Sequence, residues 1–295
     1  MLLPPFEYYR PSNLEQALAL LREMGDQAHP LAGGTDLLVN LKLKKLAPKA
    51  LLDLGGLEEL KGSRADGGQV SLGALNSASR LASGGPHVPR LLAMGAGALG
   101  SPQVRNRATL GGNLVTARPA ADLCLPLLAL GARAVLTGPQ GSREVSLDGY
   151  FQGPGYTVKE PGEILTRVLL EAPKPGQGGG YQKLGLRQAL EIALVNVAAH
   201  LELEPDGKTI AMARVALGAV APVPMLAPSA AQVLQGAKAD EKSFTAAAQA
   251  AAADAKPIDD HRGSAAYRRD MARTLTLRAL RQALAQAQGG KEVGA

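Results

Sequence analysis

Hydrophobic positions change their spacing three times along the chain, and the changes divide it. Leu14, Ala17, Leu18 and Leu21 recur at helical spacing. They follow Ser12-Asn13-Leu14-Glu15, which has the form of a capping box, with Ser12 taking an orphan backbone N–H and Glu15 reaching back. Gly25 stops that helix. A short apolar strand at 29–31 runs straight into Ala32-Gly33-Gly34-Thr35-Asp36. Leu37 to Leu43 resumes an apolar pattern, and Leu51, Leu52 and Leu54 predict a further strand. The expectation is a β–α–β–loop–α–β unit over residues 1–56.

Residues 57–172 form a second part. A Gly67-Gly68 turn feeds a strand ending at Gly73. Positions 89–99 are helical in pattern, 121–130 predict a buried helix, and 132–137 and 163–171 predict strands. Thr109-Leu110-Gly111-Gly112-Asn113 is a second glycine-rich loop. Proline and glycine crowd 173–180, which predicts a linker or flexible loop. In 181–295, apolar runs at 192–204 and 210–220 flank Glu204-Pro205-Asp206-Gly207-Lys208, a hairpin signal. Helical stretches follow at 230–235, 241–255 and 264–288. The class expected is α+β, ending in a small antiparallel sheet with a helical layer.

Composition narrows the function. A chain of 295 residues suggests about two compact units. With 46% hydrophobic and 20% charged residues it can bury a core, which excludes a disordered chain. Aromatics at 3%, without tryptophan, argue against stacking of single-stranded nucleic acid. The single cysteine, Cys124, excludes an internal disulfide, a four-cysteine iron–sulfur site and a cysteine-rich zinc site. It fits a reducing compartment, so a cytoplasmic location is expected. Residues 1–10 have no apolar run of signal-peptide length, and no stretch reaches the ~18 apolar residues of a membrane span. The net charge of +6 is concentrated between Arg262 and Arg281, where six arginines face one acid, Asp270. One basic helix reads as a solvated face or a docking surface, not as a nucleic-acid site. Tyr267, Met271 and Leu275 share one side of it, and Arg268, Arg269 and Arg273 are expected at the surface. His29, His87, His200 and His261 show no metal-ligand spacing and no Ser-His-Asp order is present, so no catalytic residue or metal ligand is assigned.

The two glycine loops carry the candidate chemistry. Paired glycines allow close approach of a ligand and can turn N–H groups inward to phosphate oxygens; they can equally be plain turns. Thr35, Thr109 and Asn113 add side-chain donors. Neither loop matches G-x-G-x-x-G or G-x-x-x-x-G-K-[ST], so a Rossmann or Walker site is not supported. Taken alone, Lys183 and Arg187 read as surface charges, and Asp122 as an acid at the start of the 121–130 helix.

The wording of these segments is more specific than their glycine content. Pro30-Leu31-Ala32-Gly33-Gly34-Thr35-Asp36-Leu37-Leu38 resembles the first flavin loop of the FAD-binding (medium) subunits of molybdenum hydroxylases, the carbon monoxide dehydrogenase and xanthine dehydrogenase type. Residues 101–113, from Ser101-Pro102-Gln103 to Gly111-Gly112-Asn113, resemble the second. Ala117-Arg118-Pro119-Ala120-Ala121-Asp122 continues the likeness, although a small residue is more usual at 118. Glu163-Ile164-Leu165, Lys183 with Arg187 and Glu191-Ile192-Ala193, and Tyr267-Arg268-Arg269 complete it in order across nearly the whole chain.

The resemblance implies a two-part FAD domain of the vanillyl-alcohol oxidase-like (PCMH-type) fold followed by the C-terminal α+β domain. It implies that Ala32, Gly33, Gly34, Thr35, Asp36 and Leu37 wrap the FAD pyrophosphate, with Ser101, Thr109, Gly111, Gly112 and Asn113 opposite. It implies that Asp122 accepts from sugar hydroxyls, that Ile164 and Leu165 pack on the isoalloxazine, and that Lys183 lies near its polar edge. Thr35 stands where some flavoproteins of the wider fold carry a histidine, so non-covalent FAD is expected. The molybdenum cofactor and [2Fe–2S] clusters would sit on a large molybdopterin subunit and a small iron–sulfur subunit, in a dimer of heterotrimers, and this chain would transfer electrons. Two other readings remain at this point: an independent FAD-dependent oxidase or dehydrogenase with its own small organic substrate, and a docking module whose loops are only turns. Flavin absorbance would exclude the module, and activity of the lone chain would favour the independent enzyme. The resemblance implies that the substrate is read at the molybdenum centre on another chain.

Overall fold

The computed structural model describes residues 3–187 and 189–289. The chain begins with β1 (Glu7–Tyr9), α1 (Leu14–Met24), β2 (Ala28–Leu31), α2 (Leu37–Lys42) and β3 (Ala50–Asp53). The three strands pair in parallel in the order β1–β3–β2. The cap of α1 lies one residue later than expected. Asn13, not Ser12, is the N-cap, accepting from Gln16 N at 2.8 Å, while Gln16 Oε1 accepts from Ser12 N at 2.8 Å. Asparagine and serine are comparable caps, so the capping-box logic survives with Asn13 and Gln16 in the roles assigned to Ser12 and Glu15.

The second part contains β4 (Ser63–Asp66), β5 (Gln69–Gly73), α3 (Ala78–Ala82), α4 (Arg90–Gly97), α5 (Pro102–Arg107), α6 (Leu110–Thr116), α7 (Cys124–Ala129), β6 (Arg133–Gly138), β7 (Gly141–Ser146), β8 (Phe151–Gly153), β9 (Tyr156–Thr157) and β10 (Ile164–Glu171). Five of its strands form an antiparallel sheet in the order β4–β5–β10–β6–β7. β4 and β7 have no counterpart in the sequence reading because they are exposed edges without apolar alternation. The helix expected at 121–130 is shorter. Cys124 lies inside it, fully buried, and burial pushes its thiol far above the ordinary range.

The third part contains β11 (Gln177–Leu184), β12 (Val195–Leu203), β13 (Ile210–Gly218), β14 (Met225–Leu226), α8 (Pro228–Leu234), α9 (Glu241–Asp254) and α10 (Ala265–Ala287). Its antiparallel sheet runs in the order β11–β12–β13–β14. β12 is apolar on both faces because both are covered. Val195, Val197, Ala199 and Leu201 join the core under the helices, whereas Ala198 joins the core of the second part.

The linker expected at 173–180 is corrected over its second half: Gly178, Gly179 and Gly180 are strand residues of β11. They are glycines for a packing reason. A Cβ on Gly178 would lie 2.0 Å from Ala283 O, and one on Gly180 2.0 Å from Ala279 O. The backbone of α10 therefore rests directly on the strand. A cluster of glycines that looks like flexible punctuation is a groove for a helix.

The basic stretch is also corrected. Arg268, expected at the surface, is 2% exposed; it donates to Leu194 O at 2.9 Å and Ala219 O at 3.0 Å and pairs with Asp260 at 2.7 Å. Met271 and Leu275 turn into the core of their own domain, while Arg269 and Arg273 are exposed. Among the described residues no helix is long and apolar enough to cross a membrane.

Candidate functional site

The first glycine loop is held against the second by backbone contact. A Cβ on Gly33 would sit 1.8 Å from Arg107 O, so only glycine permits this approach. Gly34, at φ 75°, then turns the chain into α2. Among the described residues, the N–H groups of Gly33, Gly34 and Thr35 donate to no protein acceptor. These donors line a cleft of about 650 Å³ between the loops.

The second loop contributes differently from expectation. Thr109 is the N-cap of α6, and Gly111 and Gly112 form the helix's first turn. Their N–H groups are already used: Gly111 donates to Ala74 O at 2.8 Å and Gly112 to Thr109 Oγ1 at 3.1 Å. Gly111 is glycine because a Cβ would meet Ala74 Cβ at 2.8 Å. This side therefore offers side chains, not a backbone cradle. Thr109 keeps its own O–H, and Asn113 keeps its Nδ2 because its Oδ1 accepts from Leu123 N at 3.2 Å. Ser101 caps α5, accepting from Val104 N at 3.4 Å, and does not line the cleft.

The structure thus brings Ala32, Gly33, Gly34, Thr35, Asp36, Leu37, Thr109, Gly112 and Asn113 to one cleft. Ile164 and Leu165 do not reach its lining. Both are buried, Ile164 in the core of the first part and Leu165 in that of the second. The residue preceding them, Glu163, does line it. Burial pushes its carboxyl up, but the Arg143 fork at 2.7 and 2.9 Å and Glu160 N at 2.6 Å hold it below the usual range. Two further lining residues escaped the sequence reading. Burial pulls the pKa of His29 down, with Lys159 adding to it, and its Nδ1 is buried without a partner. Burial also pulls Lys159 down, and its ammonium donates to Glu160 O at 3.0 Å and Glu163 O at 3.3 Å. Neither His29 nor Lys159 stands in a recognisable spacing; a histidine entering the glycine loop was the available signal.

Asp122 lies in a neighbouring groove that shares Thr35, Asp36, Asn113, Thr116 and Arg118 with the cleft. Its carboxylate is 7% exposed and accepts from Tyr181 Oη at 2.7 Å, Lys183 Nζ at 2.8 Å and Asn196 Nδ2 at 3.4 Å. It does not cap α7. Burial pushes its carboxyl above the ordinary range against the pull of Lys183, Tyr181 and Asn196. Lys183 is therefore not a surface charge, since it also donates to Ala98 O at 3.0 Å; Arg187 is, with its side chain 68% exposed. Tyr181 and Asn196 are the partners the sequence did not disclose. Arg118 reaches to within 4.0 Å of Asp36 from the opposite loop, with both side chains about half exposed.

The donor set suits a flavin dinucleotide. Three free backbone N–H groups, a hydroxyl at Thr35 and two further side-chain donors face one elongated space, the chemistry a pyrophosphate and its sugars require. Among the described residues no cluster of histidine, cysteine or carboxylates could hold a metal ion.

Comparison with known proteins shows the family. The family described as the FAD binding domain in molybdopterin dehydrogenase matches residues 4–173, and the CO dehydrogenase flavoprotein C-terminal domain matches 181–283. This chain belongs to the family of FAD-binding medium subunits of molybdenum hydroxylases. The carbon monoxide dehydrogenase medium chain of Afipia carboxidovorans is 35% identical, covering 96% of this chain and 98% of its own. The xanthine dehydrogenase FAD-binding subunit of Escherichia coli O157:H7 is 32% identical over 96% of this chain and 97% of its own. In solved structures, carbon monoxide dehydrogenase from Hydrogenophaga pseudoflava superimposes with a TM-score of 0.92 at 36% identity, covering 97% of this chain and 99% of that one. The chain is thus a flavoprotein subunit of an oxidoreductase of the carbon monoxide dehydrogenase and xanthine dehydrogenase type, which displaces the readings as an independent oxidase or a bare docking module.

Proposed function

We propose that this subunit holds FAD without a covalent bond in the cleft between Gly33-Gly34-Thr35 and Thr109-Gly112-Asn113, and relays electrons through it from iron–sulfur clusters of a partner to an external acceptor. The free N–H groups of Gly33, Gly34 and Thr35, held against Arg107 O by the missing Cβ of Gly33, carry this reading. When bound, the flavin supplies the ability to take electrons singly and release them singly or in pairs. The residues of this chain bind and orient. The first loop neutralises phosphate charge with aligned dipoles, Thr109 and Asn113 fix the opposite side, and Asp122 offers an oxygen to a sugar hydroxyl. Thr35 cannot form the attachment a histidine could, and Cys124 is buried with a thiol held protonated.

The finer assembly belongs to the same reading: a small [2Fe–2S] subunit and a large molybdopterin subunit, arranged as a dimer of heterotrimers in the cytoplasm. Acid precipitation of the purified chain tests the cofactor claim. FAD should appear in the supernatant in near-stoichiometric amount. Yellow colour left in the pellet would overturn non-covalent binding, and a colourless native complex would overturn the flavin site itself.

A further inference from the structure

Away from the cofactor cleft, the seam between the second part and the sheet of the third opens into a pocket of about 240 Å³. It shares no lining residue with the cleft or with the groove that holds Asp122. Strand register builds its floor. Gly179 of β11, His200 of β12 and Arg214 of β13 stand opposite one another in one row, and Gln177, Glu202 and Met212 form the next. Alternation puts both rows on the face of Tyr181 and Ala198, which packs against the second part.

His200 is 6% exposed. Its Nδ1 is buried without a partner, and no group among the described residues bonds to its Nε2, which is left to the pocket. Burial keeps the ring neutral, and Arg214 adds to that effect. A desolvated polar group without a partner costs free energy, so an imidazole held this way at the wall of a cavity calls for a ligand. Arg214 stands beside it, with no carboxylate paired to it among the described residues. Gly131 makes room for its guanidinium: a Cβ there would come to 2.8 Å from Nη1.

The other polar groups of the lining leave donors, not acceptors. Glu202 accepts from Gln177 Nε2 at 3.0 Å and Glu171 from Lys174 Nζ at 3.0 Å. Gln286 uses its Oε1 to accept from Gly179 N at 2.8 Å and keeps its Nε2. Arg90 brings a second guanidinium, and Pro89, Leu91 and Leu130 supply an apolar wall from the second part.

We infer that this pocket binds a small organic carboxylate, its oxygens on Arg214 and His200 and its short hydrocarbon body against Leu91 and Leu130. The planar guanidinium fork matches a carboxylate, and the neutral ring donates to it from Nε2. An ammonium ligand would meet two guanidinium groups, and no cluster among the described residues could hold a metal ion. Inorganic phosphate would leave the apolar wall wet. The pocket is smaller than the roughly 300–1,000 Å³ of ordinary ligand sites, so it suits a short acid and not a nucleotide. Its occupant would touch both the flavin domain and the C-terminal sheet.

The test titrates the purified complex, with its flavin and partners, by calorimetry with butyrate, and in parallel with inorganic phosphate and butylamine. Butyrate should bind saturably, one molecule per chain. Arg214→Leu and His200→Leu should each weaken it by roughly tenfold or more, the loss of one charge-assisted hydrogen bond. His200→Gln, which keeps an N–H donor, should retain most of the affinity. Flavin content should be the same in all three variants. Where a leucine variant fails to fold, Arg214→Lys, which keeps the charge and loses the fork, should still weaken butyrate several-fold; unchanged affinity in it would overturn the assignment. No saturable butyrate binding would overturn the site. Binding that survives both leucine variants would place butyrate elsewhere on the molecule and overturn it too. Phosphate bound in preference would overturn the organic class, and butylamine bound in preference would overturn the sign of the ligand.

Discussion

Tyr181 donates its hydroxyl to Asp122 at 2.7 Å across the boundary between the flavin domain and the C-terminal sheet. Asn196 Nδ2 supports the same hydroxyl at 3.1 Å from the neighbouring strand β12. A carboxylate beside the cleft is therefore positioned by side chains of the C-terminal domain. Burial accounts for the demand: a desolvated carboxylate needs every donor it can collect.

This arrangement separates two variants. Tyr181→Phe removes one charge-assisted hydrogen bond, a loss on the order of 1.5–3 kcal/mol. That loss falls on the folded chain itself, so denaturant melts should record it. Asp122→Ala removes the shared partner of Lys183, Tyr181 and Asn196, and should cost the fold on the order of 3–5 kcal/mol because the lysine is left buried and uncompensated. Denaturant melts of both variants without FAD would distinguish them. Equal stabilities would mean that Lys183 finds another partner.

Gly33→Ala should be more damaging than Gly112→Ala. The first places a Cβ 1.8 Å from a backbone oxygen, the second 2.8 Å from the Thr109 hydroxyl, which can move. Overpacking of this kind costs about 1–3 kcal/mol or more. FAD content after gel filtration should fall close to zero in Gly33→Ala and only partly in Gly112→Ala. Full flavin occupancy in Gly33→Ala would show that the two loops need not touch.

His200 gives the protein an acid sensitivity of definite sign. Burial is the main cause, and Arg214 adds to it, in pulling its pKa from 6.5 to about 4. Between these values the unfolded chain binds the proton and the folded chain resists it. Stability is therefore fully present above pH 6.5 and declines as pH falls toward about 4, by on the order of 3 kcal/mol in all. His200→Phe should flatten that part of the stability–pH curve. An unchanged slope would assign the acid sensitivity to other groups.

Much of this was legible in the sequence, for local reasons. Leu14, Ala17, Leu18 and Leu21 announced α1, and Glu204-Pro205-Asp206-Gly207 announced the β12–β13 hairpin, because period and turn chemistry act over a few residues. Residues 32–37 announced one wall of the cleft because only glycine can lie against Arg107 O. What stayed hidden depended on distant partners. Lys183 and Arg268 look like any exposed cation until Asp122 and Asp260 are brought to them. The N–H groups of Gly111 and Gly112 looked free until Ala74 and Thr109 were found to take them. Ile164 and Leu165 lie in strand β10, but nothing local says that their side chains leave the cleft for two different cores.

Gly180→Ala should displace α10. Its Cβ would enter the space of Ala279 O at 2.0 Å, a backbone atom that cannot rotate away. A melting temperature well below that of Gly207→Ala, where φ is +66° but the space is open, is the expected result.

The glycine run of β11 acts as a ruler. Where helix and sheet meet through interlocking side chains, rotamer changes can absorb a sliding movement; here main chain meets main chain and nothing is left to absorb it. Gly178 and Gly180 fix the height of α10, and Tyr181 and Lys183, next along the same strand on the other face, inherit that reference when they reach Asp122. The terminal helix and the carboxylate beside the cleft thus share one rigid datum, so the tolerance of the cofactor site is set by the thickness of a bare polypeptide backbone.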